Sequence, residues 1–208
     1  MSKQLTLTAF ILALLAGMTP ASGQDFAVKT NLLYDASATV NAGIEFPFAR
    51  RWTLDVSGNY NAWSSPNSLK RWKHWMVQPE ARWWFCNRFA GHFIGINAMG
   101  MEYNLGGLDL GTFRLPGTDF RKLKDFRYEG YAVGAGLAYG YAFALGTHWN
   151  LELEVGAGYA YTWFDRFPCK ECGRKIDDGS HHYFGPTKAA VNIVYYYCPL
   201  KLFDRTKN

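Results

Sequence analysis

Hydrophobic and polar residues alternate along most of this chain with the period of a β-strand. The clearest case is Trp149 to Phe164. Its odd positions read Trp149, Leu151, Leu153, Val155, Ala157, Tyr159, Tyr161 and Trp163, and its even positions Asn150, Glu152, Glu154, Gly156, Gly158, Ala160, Thr162 and Phe164. A strand sends alternate side chains to opposite faces, so this segment has one apolar face bounded by aromatic residues and one polar or small face. At about 3.3 Å per residue and a steep tilt, roughly ten residues cross a bilayer core. A lipid-facing strand carries an apolar band between aromatic girdles, and this segment has both.

The same alternation predicts strands over residues 26–36, 39–48, 52–60, 75–85, 94–101, 127–145 and 184–199. In the fourth of these, Pro79 cannot donate a ladder hydrogen bond, so a gap or bulge is expected there. The sixth is apolar through Tyr131, Val133, Ala135, Leu137, Tyr139, Tyr141 and Phe143, and its other face is almost wholly Gly and Ala. Residues 64–74, 105–126 and 165–183 read as long loops after the third, fifth and seventh strands. The turns after the second, fourth and sixth are short.

Eight antiparallel strands with long loops at one end and short turns at the other match the layout of a bacterial outer-membrane barrel. Alternation alone also fits a soluble lipocalin-like barrel that carries a small ligand. Volume separates the two, because an eight-stranded barrel is only just wide enough for side chains to fill its interior. The apolar faces carry too many Trp, Tyr and Phe to pack inside, whereas the Gly-, Ala-, Asn- and Ser-rich faces would fit. The expected fold is therefore all-β, an eight-stranded antiparallel transmembrane barrel with a polar filled interior. Its inward polar network is expected to comprise Lys29, Asp35, Glu45, Asp55, Glu80, Arg82, Glu152, Glu154 and Lys188. Such buried charges must be paired and hydrogen-bonded.

Composition supports this class. The chain of 208 residues is 49% hydrophobic and 17% aromatic, yet its mean hydropathy is only −0.19, far below that of a helical membrane bundle. No segment after the N-terminus offers an apolar run long enough for a spanning helix. Lys3, the apolar run Leu5 to Ala16 and the small residues Ala21-Ser22-Gly23 form a secretory signal pattern, so residues 1–23 are expected to be a signal peptide and residues 24–208 the barrel domain. The formal charge of +5 falls by one with Lys3. What remains is concentrated partly in Lys70, Arg71, Lys73 and in the tail residues Lys201, Arg205 and Lys207. In an exported protein this argues for anionic lipid or polysaccharide headgroups and against nucleic acid.

Four stretches, VKTNLLYDASATVNAGIEF (Val28 to Phe46), RRWTLDVSGNYNAW (Arg50 to Trp63), KRWKHWMVQPEARWWFC (Lys70 to Cys86) and GHFIGINA (Gly91 to Ala98), resemble a family of small outer-membrane barrels of unknown function from Bacteroidetes-type bacteria. The resemblance covers most of the chain after the signal. It implies an outer-membrane location and no known enzymatic activity, and it supplies no functional residues.

Cys169 and Cys172 form a Cys-X-X-Cys pair followed by His181 and His182. That spacing is compatible with a zinc site, a loop-stapling disulfide, free thiols or redox chemistry. Cys86 and Cys198 fall at the ends of strands on opposite walls, beyond the roughly 7 Å reach of a disulfide. His74, Asp165, Asp177, Asp178, His181 and His182 would be the candidates for a barrel-embedded hydrolase acting on lipid or peptide at the outer rim, though no motif joins them. The functional expectation is an integral outer-membrane protein with a structural or surface-interaction role, no catalysis and no cofactor. Its partners would be lipid and lipopolysaccharide, and a surface protein or glycan reached through the long loops.

Overall fold

The computed structural model describes residues 26–64, 71–107, 114–115, 118–119, 124–168 and 174–197. Its strands are β1 (Phe26–Asn31), β2 (Val40–Ala49), β3 (Trp52–Ser64), β4 (Arg71–Trp84), β5 (Gly91–Gly106), β8 (Phe126–Ala144), β9 (Trp149–Pro168) and β10 (Asp177–Tyr197), with a two-residue ladder β6 (Arg114–Leu115) and β7 (Thr118–Asp119) between β5 and β8. The eight long strands form one closed antiparallel sheet in the order β1-β10-β9-β8-β5-β4-β3-β2.

Side-chain parity follows the sequence pattern. Along β9 the apolar row from Trp149 to Trp163 faces outward and Glu152, Glu154 and Ala160 face inward. The outward row of β8 is likewise apolar and exposed, with Leu137 at 66% and Tyr131 at 57%. The β4–β5 ladder skips Gln78 and Pro79 while the β3–β4 ladder runs through them, which is the gap expected where proline removes a donor.

Several segments differ from the sequence reading. Residues Leu32–Ala36 form a short helix, α1, instead of the upper half of the first strand. The Asn31 side chain caps it by accepting from the Leu33 amide at 3.1 Å, so a local side-chain bond outcompetes the strand ladder. Strand β4 already begins at Arg71, placing 71–74 in the sheet rather than in a loop. The β9–β10 hairpin extends to Pro168 and Asp177, so most of the loop expected over 165–183 is strand. Its far end is held by ion pairs of Lys175 with Asp165 (2.8 Å) and Asp178 (3.3 Å), and of Arg166 with Asp177 (3.3 Å). The hydrogen bond that Lys175 donates to Asp165, reinforced by Asp178, holds its ammonium above the ordinary lysine range.

Strand lengths are unequal, 6 residues in β1 against 21 in β10. Strand β1 pairs only with Asn192–Tyr197 of β10, so the rest of that edge has no strand partner among the described residues. Asn31 extends the seam with its side chain, which donates to the Ala189 carbonyl and accepts from the Val191 amide, each at 3.2 Å. Helix α1 packs beside the same edge.

The interior is layered, and this corrects the expectation of a wholly polar filling. At the end carrying the short turns, Trp84, Phe89 and Phe93 form an aromatic plug with Ala27, Ala142, Val194 and Tyr196. Trp84 lies 4.7 Å from Phe93 and 6.0 Å from Phe89, and Phe89 lies 4.9 Å from Tyr196 (ring centroids). Small residues on β8 make room for it. A Cβ on Gly140 would come within 2.2 Å of the Phe93 ring.

Candidate functional site

Directly above the plug, strands β1, β2, β3, β4, β9 and β10 direct eight ionisable side chains into one cluster. Arg82 is its centre and is fully buried. Its Nε donates to Glu80 at 2.6 Å, its Nη1 to Glu45 at 2.8 Å and Glu152 at 3.1 Å, and its Nη2 to Glu154 at 2.7 Å. Nη2 also lies 3.2 Å from Asp55. The planar guanidinium thus spends its fork on five carboxylates, a geometry that a lysine could not reproduce.

Two lysines complete the cluster. Lys29 Nζ lies 2.5 Å from Glu45, 3.4 Å from Asp55 and 3.5 Å from Glu152. Lys188 Nζ lies 2.7 Å from Glu80, 3.1 Å from Glu154 and 3.7 Å from Asp55. Five carboxylates therefore face three cations. Neutral donors add further hydrogen bonds to the carboxylates. Thr53 donates to Glu45 (2.5 Å), Asn192 to Glu152 (2.8 Å) and Asn97 to Glu80 (3.4 Å). The Trp84 indole donates to Thr53 at 2.9 Å, tying the charged layer to the plug. Arg82 also stacks over the Phe93 ring at 4.6 Å.

Eight of the nine residues expected in the inward network meet here. Asp35 does not. It sits on α1 and accepts from Thr30 (2.9 Å) and Asn41 (2.7 Å), at the exposed end of the seam, because the helix turns it out of the register a strand would have imposed. Between the cluster and α1, Asn31, Tyr34, Asn59, Gln78 and Lys188 line a cavity of about 30 Å³, room for about one water. The arrangement is a cross-brace: nearly every charged atom is committed to another, and the plug closes one end. Sequence reasoning missed the plug, although Trp84, Phe93 and Tyr196 all carry inward parity.

The other candidates are scattered. His74 is on β4, and Asp165, Asp177 and Asp178 belong to the hairpin ion pairs already described. His181 and His182 are consecutive on β10 and so point to opposite faces; His182 shares a hydrogen bond with the Tyr159 hydroxyl at 2.7 Å on the outer surface. Cys169, Cys172 and Cys198 lie outside the described residues, and Cys86 is an exposed free thiol. Among the described residues, no three His, Cys, Asp or Glu side chains are grouped to hold a metal ion.

These features define a small closed antiparallel barrel with an apolar exterior, a salt-bridged interior and a sealed turn end. The chain belongs to the family described as protein of unknown function (DUF3575), whose model matches residues 9–197. No curated protein and no solved structure matches it.

Proposed function

We propose that this chain is an integral outer-membrane barrel with a structural or surface-interaction role, exported by a signal peptide spanning residues 1–23 and without catalytic activity of its own. The observation that carries the reading is the inversion of polarity. Beside the apolar plug, the fully buried interior positions include the charged Arg82, Glu45, Glu80 and Asp55, while Leu137, Val155 and Ile96 are more than 60% exposed. A water-soluble barrel would expose the first set and bury the second. Aromatic residues also gather at two levels. Phe48 and Trp52 (6.2 Å apart) and Trp149 and Tyr195 (5.0 Å) lie towards the turn end. Tyr159, Tyr161 and Trp163 lie towards the other, with Trp75 donating to Glu102 at 2.6 Å. Ten residues separate Trp149 from Tyr159, about 25 Å across once a strand tilt near 40° is applied, which suits the apolar band of such barrels.

With so filled an interior, a transport pathway has no support, and interaction falls to the exterior: lipid and lipopolysaccharide along the band, and a protein or glycan partner at the loops. The test is reconstitution of the refolded chain into phosphatidylcholine vesicles with and without bromine on the acyl chains. Tryptophan emission is expected to be strongly quenched by the brominated lipid, and the native protein to sediment with outer membranes. Unquenched emission together with recovery in the soluble periplasmic fraction would overturn the reading.

A further inference from the structure

At the turn end, outside the plug, Arg50 and Arg51 of the β2–β3 turn and Arg88 of the β4–β5 turn line one cavity of about 320 Å³ with Cys86, Asn87 and Tyr196. None of the three arginines pairs with a carboxylate among the described residues. The turns at this end, 50–51, 85–90 and 145–148, contain no Asp or Glu at all. The opposite end is different in kind: Lys175, Arg166 and Arg127 each face a carboxylate. Among the described residues, the turn end thus holds three arginines and no carboxylate in its turns, whereas several cations of the opposite end are paired.

The backbone next to Arg88 is fixed. Phe89 adopts φ 62°, a left-handed conformation that is unfavourable for a non-glycine residue. The Phe89 ring is buried against Trp84 and Tyr196, and the Asn150 side chain donates to its carbonyl at 2.6 Å. Phe89 thus turns into the barrel while its neighbour Arg88 lines the cavity, and Tyr196 forms both the edge of the plug and part of the cavity wall. The plug bars the lumen, so a ligand reaches this cavity only from outside the barrel.

We propose that this cavity binds a phosphate group, carried either by a phospholipid headgroup or by a soluble phosphate monoester. Guanidinium forks match the tetrahedral oxyanion with paired N–H donors, and Asn87 adds a neutral polar side chain. Three cations exceed what a single carboxylate balances. The volume exceeds that of phosphate alone and leaves room for a small attached group, at the lower end of the range of ligand cavities. The cavity lies at the barrel end and does not depend on membrane insertion.

The test uses the full chain refolded in a maltoside detergent, at constant ionic strength set with chloride. Inorganic phosphate, glycerol 3-phosphate and dihexanoylphosphatidylglycerol are titrated by calorimetry, and alkylation of Cys86, mapped by peptide, is followed in parallel. Binding is expected to slow Cys86 alkylation. Arg50→Gln, Arg51→Gln or Arg88→Gln should each weaken it roughly three- to tenfold, and the triple variant about a hundredfold. Arg127→Gln at the other end should leave it unchanged, with far-UV circular dichroism confirming that every variant is folded. Binding of the lipid without the soluble monoesters assigns the phosphate to a membrane headgroup, and the reverse to a soluble ligand. Absence of binding by all three probes, equal binding by the triple variant, or equal weakening by Arg127→Gln would overturn the proposal, whichever membrane fraction holds the protein.

Discussion

Arg82 on β4 donates to Glu154 on β9 at 2.7 Å across the interior, although the two strands are separated by β5 and β8 around the ring. With Glu45 and Glu152 on the same guanidinium, this one side chain braces β2, β4 and β9 together. Arg82→Met would leave five carboxylates facing only Lys29 and Lys188. Removing one partner from a buried ionic group costs about 3–5 kcal/mol, so a large drop in the urea midpoint of the detergent-folded barrel is expected. Arg82→Lys should fall between the two, because it restores charge without the planar fork. An unchanged midpoint for Arg82→Met would mean that the cluster is not a brace.

The seam between β1 and β10 offers a second, more local prediction. The Asn31 side chain serves the Ala189 carbonyl and the Val191 amide where β1 has ended and α1 begins. Asn31→Ala removes both bonds and the α1 cap together. A loss of about 1–3 kcal/mol is expected, with faster amide exchange concentrated at Val191 and in residues 33–35. Uniformly faster exchange over the whole barrel would instead indicate global loosening.

Packing against glycine gives a matched pair. A Cβ at Gly140 would meet Phe93 at 2.2 Å and the Leu153 carbonyl at 2.8 Å, and Phe93 is itself fixed between Trp84 and Arg82. Gly140→Ala should therefore destabilise by about 1–3 kcal/mol through overpacking. At Gly100 nothing lies within 4 Å, so Gly100→Ala should be neutral or slightly stabilising. Both are read as shifts in thermal midpoint in the same detergent.

Much of this was legible in the sequence because a strand's period of two makes each residue's face readable from its neighbours. Leu151, Leu153 and Val155 against Glu152 and Glu154 fix inside and outside without any structure, and the same parity brings Lys29, Glu45, Glu80, Arg82 and Lys188 to one interior. What was not legible depends on something other than period. Leu32–Ala36 alternates like a strand, and only the Asn31 cap turns it into a helix; Asp35 left the network with it. Charged and polar residues over 165–168 and 177–183 look like loop, yet they pair in register because that hairpin is held by Lys175 and Arg166. The plug was hidden because Phe89 reaches the interior from a turn, through a left-handed residue that no alternation announces. The arginine cavity needed two turns and the end of β10 brought together, and sequence separation conceals that.

The outward row decides between membrane and water most sharply when a charge is placed in it. Leu137 and Val155 are 66% and 65% exposed on the neighbouring strands β8 and β9, flanked by Tyr139 and Ala157, at mid-height between the two aromatic levels. In a bilayer an arginine there must drag its charge into hydrocarbon, at about 2–4 kcal/mol near the midplane and much less close to the girdles. In water the same change would replace an exposed apolar side chain by a hydrated one and cost almost nothing. Leu137→Arg and Val155→Arg should therefore lower the folded fraction in vesicles by that amount, whereas an arginine at Glu129, beyond the Tyr131 level, should have little effect. Equal stability of all three in vesicles would remove the basis for a lipid-facing wall. A depth-dependent penalty, seen in vesicles and weakened in detergent micelles, is the result that an embedded barrel requires.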